Sequence, residues 1–118
     1  MSYIKDFKTK YLVDCRIKES ERLKEKYPDR IPIILDKESG SDIQNIDKQK
    51  YLVPIDFTVG QFHFLIRKRI NLKEEQAMFL MVNGFIPANS SLISQLYQQC
   101  KDKDGFLYIT YSGENVFG

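Results

Sequence analysis

Apolar positions along the chain recur with two different periods, and the switches between them mark the elements. Residues 4–27 contain no Gly or Pro and are rich in Lys, Glu and Arg, which predicts helix. Their apolar stripe is weak. Cys15, Glu19, Leu23 and Tyr27 form an i, i+4 row, so a carboxylate shares the stripe with Leu23. Pro28-Asp29 ends the helix and turns the chain. Residues 31–35 and 51–55 read as strands, each carrying a proline, Pro32 and Pro54. Proline cannot donate to a ladder, so at least one of these strands is expected at a sheet edge. Ser39-Gly40-Ser41-Asp42 between them is a turn cluster.

Thr58 followed three residues later by Gln61 is a capping-box pattern, and it opens a helix running to about Ile70. Val59, Phe62, Ile66 and Ile70 form its buried stripe, with Arg67, Lys68 and Arg69 at the end where cations suit the helix dipole. Residues 78–82 predict a short buried strand and Asn83-Gly84 a tight turn. Residues 92–97 predict a short helix capped by Ser90 or Ser91. After the Asp104-Gly105 turn, residues 106–111 are apolar or aromatic on both faces, as a central strand requires. Two strands, a crossing helix, then two more strands is the order of an α+β β-grasp, the ubiquitin-like fold.

Composition adds limits. At 118 residues, with 42% hydrophobic and 29% charged side chains, the chain suits one globular domain. Its net charge of +2 gives no argument for nucleic acid as a partner. Residues 1–30 carry nine basic against six acidic side chains, which makes the amino-terminal segment a basic arm. No apolar run approaches the roughly 18 residues of a membrane span, and residues 1–10 lack a signal-peptide core. Cys15 and Cys100 form neither a CxxC nor a metal spacing, nor a disulfide framework, which favours a reducing intracellular compartment.

Catalytic chemistry finds little support. His63 is the single histidine, placed mid-helix, and neither cysteine has a histidine in a recognisable motif. Nucleotide-binding glycine loops and metalloprotease or hydrolase signatures are missing, and Glu74-Glu75 reads as a solvated charge pair. The expectation is a non-enzyme without metal or cofactor. The informative end is Ser112-Gly113-Glu114-Asn115-Val116-Phe117-Gly118. A strand that empties into a short polar tail ending in glycine suits a carboxylate that threads a narrow channel, is activated, and is passed through a thioester to an amine.

The chain resembles the ubiquitin-like modifiers of autophagy, the GABARAP-type family. The resemblance rests on Lys26-Tyr27-Pro28-Asp29-Arg30-Ile31-Pro32, Asp47-Lys48, Lys50-Tyr51-Leu52-Val53-Pro54, Thr58-Val59-Gly60-Gln61-Phe62, Ile66-Arg67-Lys68-Arg69-Ile70 and residues 101–118. It runs without a gap from about Phe7 to Gly118. It implies one ubiquitin-like domain over residues 1–118: a helical arm of two additional N-terminal helices over 1–28, a β-grasp core over 29–112 and a conjugation tail over 113–118. It further implies that Gly118 is joined to the amine of phosphatidylethanolamine by activating and conjugating enzymes, with a cysteine protease for processing and delipidation. The expected locations are the cytoplasm and, once lipid-linked, the autophagosome membrane.

The same resemblance implies a groove for aromatic-x-x-aliphatic motifs of cargo receptors and adaptors. Glu19, Leu23, Pro32, Ile34, Lys50, Leu52 and Phe106 would form its aromatic pocket. Tyr51, Val53, Pro54, Phe57, Phe62, Leu65 and Ile66 would form its aliphatic pocket. Arg30, Lys48 and Arg69, with Lys50, would meet the acidic flank of the motif. An edge strand around residues 50–53 fits this, because its unpaired backbone groups can take a peptide as a further strand. Phe62, Ile66 and Phe106 are also expected to serve the core.

Two departures stand out. Family members commonly carry Pro-Phe-Glu-Lys-Arg where this chain has Leu12-Val13-Asp14-Cys15-Arg16, so the proline between the two N-terminal helices is missing. Phe57 replaces a smaller aliphatic residue. The alternative is an unconjugated trafficking or cytoskeletal adaptor using the same groove. A β-grasp sulfur carrier fits less well, because such tails usually end Gly-Gly rather than Phe117-Gly118.

Overall fold

A computed structural model describes residues 3–113. Gly118 and the rest of the tail beyond Gly113 lie outside the described residues. The elements follow in the order α1 (Tyr3–Lys10), α2 (Val13–Lys26), β1 (Arg30–Lys37), β2 (Lys50–Pro54), α3 (Val59–Arg69), β3 (Phe79–Met81), α4 (Ile93–Cys100) and β4 (Leu107–Ser112). The sheet order is β2-β1-β4-β3. β1 pairs antiparallel with β2 and parallel with β4, and β3 pairs antiparallel with β4. This is the β-grasp arrangement, preceded by two helices. β4 is an inner strand, as its two apolar faces predict, and β2 is an edge.

β1 is buried almost along its whole length because both faces of the sheet are covered. On one face Ile31, Ile33 and Leu35 join Tyr51, Val53, Phe62, Ile66 and Leu107 in the larger core. On the other face Ile34 and Phe106 pack with Phe7 of α1 and Leu23 of α2. The Phe7 and Phe106 rings meet edge to face, centroids 5.6 Å apart.

The sequence pattern predicts one helix over residues 4–27, and the structure divides it. Leu12 is extended (φ −61°, ψ 153°), and the chain restarts as α2 at Val13. No proline is needed for the break. Arg16 Nη1 donates to the carbonyls of Lys8 (2.9 Å) and Tyr11 (2.5 Å), the groups that the end of α1 leaves without helical partners.

The Thr58 capping box forms as expected, with Gln61 N–H donating to Thr58 Oγ1 and Thr58 N–H to Gln61 Oε1. The expected Ser90 or Ser91 cap does not. Leu92 occupies the N-cap of α4 without a side-chain bond, and Ile93 N–H donates instead to Phe57 O across the fold (2.9 Å). α4 also runs on to Cys100 rather than stopping at Tyr97.

Pro32 sits in an inner strand. Leu35 N–H donates to Gln49 O on the β2 side, so alternation turns position 32 toward β4. Pairing with β4 begins only at Ile33, and the missing N–H of Pro32 therefore leaves no ladder bond broken.

Candidate peptide-docking groove

β2 has a neighbour on one side only, and its register fixes which groups face outward. Leu35 donates to Gln49 O and Ile55 N–H donates to Asp29 O, so the odd positions of β2 bond to β1. The backbone N–H and C=O of Lys50 and Leu52 consequently turn toward the open edge. Side chains alternate the other way, with Tyr51 and Val53 entering the α3 side and Lys50 and Leu52 facing the α1/α2 side. One strand thus serves two surfaces with its backbone available between them.

On the α3 side a cleft of about 540 Å³ is lined by Tyr51, Val53, Pro54, Phe57 and Leu65, five of the seven residues expected for the aliphatic pocket, and Leu52 also borders it from the edge strand. Phe62 and Ile66 are fully buried behind it, with Phe62 edge to face on Tyr51 at 5.6 Å. The structure makes those two core residues rather than surface of the cleft. Phe57 also lines an adjoining cleft of about 560 Å³ with Gly60, Gln61, Phe64 and Leu65, so the larger side chain stands between two concave surfaces.

The rim is basic. Arg30, Lys48 and Arg69, the residues expected to meet an acidic flank, line the 540 Å³ cleft, and Lys68 joins them. Lys68 was legible as one of three cations ending α3 but was not assigned to the groove. Arg69 forks onto Asp47 at 2.8 and 3.3 Å, both side chains well exposed. That hydrogen bond holds the Asp47 carboxyl below the usual range and raises the Arg69 guanidinium. Arg30 Nη1 donates to Leu52 O (3.3 Å), on the open edge. Lys48 Nζ stands 5.0 Å from the Tyr51 ring centroid. Tyr51 is buried, its hydroxyl without a hydrogen-bond partner among the described residues, and desolvation pushes its pKa up to about 12.

On the α1/α2 side the residues expected for the aromatic pocket divide between a packed cluster and the wall of a neighbouring cavity. Leu23, Ile34, Leu52 and Phe106 pack together, and Pro32 lies opposite Leu52 in the strand register. Ile34 and Phe106 are fully buried, so they floor the region rather than line it. Glu19 and Lys50 bound a cavity of about 410 Å³ whose other walls include Phe7, Tyr11 and Cys15. Arg22 holds Glu19 at 2.6 Å, and that hydrogen bond lowers its pKa. Lys50 Nζ stands 5.7 Å from the Phe7 ring centroid. Phe7 and Tyr11 were missed by the motif reading. Their signal was present as the aromatic row Tyr3, Phe7, Tyr11 at i, i+4 spacing, whose rings pack in sequence at 6.0 and 5.3 Å.

Cys15 is exposed, Cys100 is half-buried, and His63 Nε2 lies 2.7 Å from the Met78 carbonyl. They lie on three different helices, α2, α4 and α3. β4 leads toward the tail, and Gly113 N–H donates to Ser41 Oγ (3.1 Å) at the last described residue. Among the described residues no helix is long and apolar enough to cross a membrane.

Comparison with known proteins decides the family. The family model for "Autophagy protein Atg8 ubiquitin like" matches residues 15–118. The chain belongs to the Atg8 family. It is 58% identical over 112 residues to autophagy-related protein 8 of Candida glabrata, covering 95% of each chain. It is 54% identical to autophagy-related protein 8a of Arabidopsis thaliana, covering 95% of this chain and 92% of that one. The crystal structure of Trypanosoma brucei ATG8 superposes with a TM-score of 0.88 at 42% identity, covering 95% and 97% of the two chains. As an Atg8-family protein the chain is a ubiquitin-like modifier of autophagy, a class that is conjugated to phosphatidylethanolamine and docks cargo receptors by short motifs. The β2 edge with a concave surface on either side is the feature of this Atg8-family chain suited to such docking.

Proposed function

We propose that residues 1–118 act as one ubiquitin-like modifier with two working parts, a docking groove along β2 and a conjugation residue at Gly118. A motif of the form acid-acid-aromatic-x-x-aliphatic adds as a strand against the outward groups of Lys50 and Leu52. Its aromatic side chain seats by Glu19, Leu23, Pro32, Lys50 and Leu52 over Ile34 and Phe106. Its aliphatic side chain seats by Tyr51, Val53, Pro54, Phe57 and Leu65, with Phe62 and Ile66 behind. Arg30, Lys48, Lys50 and Arg69 receive the acids. The observation that carries this reading is the edge strand whose successive side chains feed opposite faces while its outward-facing backbone lies between them.

Activating and conjugating enzymes would load Gly118 onto phosphatidylethanolamine, and a cysteine protease would process and release it. The chain would then divide between cytoplasm and autophagosome membrane, without catalysis, metal or cofactor of its own. Two acyl chains make the anchor stable where one is marginal, since each buried CH₂ contributes about 0.8 kcal/mol.

Titration of a labelled acid-acid-Trp-x-x-Leu peptide against wild type and variants tests the groove. Leu52→Ala is expected to weaken binding about tenfold, the decade that corresponds to roughly 1.4 kcal/mol of lost burial. Lys50→Ala is expected to cost less, with a loss that shrinks at high salt. Equal affinities for folded wild type and Leu52→Ala would remove the groove from this site. Deleting Gly118 tests the other part. The deletion is expected to leave folding intact and abolish membrane fractionation in cells that hold the conjugation machinery. Continued fractionation contradicts the assignment.

A further inference from the structure

The geometry points to Ser41 as a positioning residue for conjugation, one that holds Gly113 as a fixed launch point for the Gly118 carboxylate. This inference rests on the reading of Gly118 as the conjugation residue and adds to it an anchor in the turn after β1. Tyr111 O accepts from Glu38 N–H on the β1 side of β4 (2.8 Å). Backbone groups two residues apart in a strand face the same way, so Gly113 N–H turns to that side as well. Register pairing with β1 ends at Tyr111, and pairing with β3 ends at Ser112. The Ser41 hydroxyl stands where the next ladder acceptor would be, and Gly113 N–H donates to it at 3.1 Å. A side chain thus extends the hold on the chain beyond the last paired strand residue.

Ser41 is itself held in place. It is buried, its N–H donates to Glu38 O (3.1 Å), and its Oγ also accepts from Ile43 N–H (3.3 Å). The segment that carries it is fastened to β4 again by Tyr111 Oη, which donates to Gln44 O (2.9 Å). Ile43 and Ala77 flank Gly113, since a Cβ built there would meet Ile43 Cβ at 3.7 Å and Ala77 O at 3.9 Å. The neighbouring Ser112 Oγ is buried with no hydrogen-bond partner among the described residues, so that side chain adds no polar hold at the strand end. Five residues, 114–118, separate the anchor from the reacting carboxylate. Fully extended, five residues reach about 17 Å at most. A carboxylate on so short a tether enters a narrow channel more often from a fixed point than from a loosened strand end, the advantage of a pre-oriented reactant. Ser41 touches no reacting atom and acts through Gly113.

The experiment follows thioester formation on the purified activating enzyme with ATP, over a range of concentrations of the full chain. In that reaction the Gly118 carboxylate joins AMP as pyrophosphate leaves, and an enzyme thiolate then displaces AMP. Wild type is compared with Ser41→Ala, which removes the acceptor, with Gly113→Pro, which removes the donor, with the double variant and with a Gly118 deletion, all shown to be folded by thermal melts. Each single variant is expected to lower kcat about fivefold, the scale of one net hydrogen bond, with KM nearly unchanged. The folded body still docks on the enzyme, but fewer docked chains present the carboxylate. The double variant is expected to fall no further than either single one, because both remove the same bond. Exchange of the Gly113 amide is expected to quicken in Ser41→Ala. Wild-type kcat or a faster rate in Ser41→Ala, additive losses in the double variant, or unchanged exchange at Gly113 overturns the anchor and leaves the Gly118 reading standing. Thioester formation by the Gly118 deletion overturns the Gly118 reading, and the anchor falls with it.

Discussion

Arg16 and Asp104, 88 positions apart in the chain, form a buried ion pair with Nε 2.9 Å from Oδ2. The same guanidinium closes the end of α1, and the same carboxylate accepts from Tyr108 and from Phe106 N–H. Ser20 of α2 donates to the Asp104 carbonyl. One network therefore docks both amino-terminal helices against the turn before β4, and it holds Phe7 over Phe106 on the α1/α2 side of the sheet. A buried pair is costly to break from one side, because the remaining charge is left uncompensated.

Arg16→Met is accordingly expected to lower stability by about 3–5 kcal/mol. Urea unfolding followed by circular dichroism measures it. Adding Asp104→Asn to that variant is expected to recover part of the loss by neutralising the stranded carboxylate. A loss below about 0.5 kcal/mol, the scale of an ordinary surface substitution, contradicts the role assigned to the pair.

Gly105 stands at φ +90°, and a Cβ built there would lie 2.3 Å from Ser20 Oγ and 2.9 Å from Ser20 Cβ. Gly105→Ala therefore combines backbone strain with a clash between this turn and α2. The strain alone costs roughly 1–3 kcal/mol. Ser20→Ala is expected not to rescue it, because the Ser20 Cβ remains in the way. Thermal melts of the two single variants and the double variant provide the check.

Much of this architecture was legible locally. Thr58 and Gln61 are three residues apart and cap α3 as their spacing predicts. Asn83 and Gly84 both adopt positive φ in the turn their dipeptide announces. Pro54 falls at the end of the edge strand. What escaped was set by partners distant in sequence. Nothing within residues 4–27 shows that Arg16 will reach Asp104 and so break the helix at Leu12. The start of α4 depends on the carbonyl of Phe57, which made the nearby serines misleading as caps. Pro32 looked like an edge marker and is tolerated inside the sheet only because β4 pairing starts one residue later. At the groove, motif matching named five residues that line the cleft on the α3 side but not Phe7 and Tyr11, whose place depends on how α1 docks.

The tyrosines give the chain an alkaline limit. Burial raises Tyr51 and Tyr111 to about 12, and burial together with the Asp104 hydrogen bond raises Tyr108 further. For each, the folded pKa lies above the ordinary value near 10, so the folded state favours the neutral phenol. Their contribution to stability is complete below about pH 10 and is lost as pH rises through the folded values. Stability is expected to fall steeply above pH 10, with these phenols ionising as the fold opens. Absorbance at the phenolate band and circular dichroism against pH are expected to change together. Full ionisation of all seven tyrosines near pH 10 in a still-folded chain contradicts this.

Strand addition at β2 is tested most directly by amide hydrogen exchange, residue by residue, with and without the acid-acid-Trp-x-x-Leu peptide. Tyr51 and Val53 face β1 and are expected to be protected in both states. Lys50 and Leu52 face the open edge and are expected to exchange faster in the free protein, then to slow markedly when the peptide is bound. Unchanged exchange at Lys50 and Leu52 under saturating peptide, or protection gained only elsewhere on the surface, would contradict docking by strand addition along this edge.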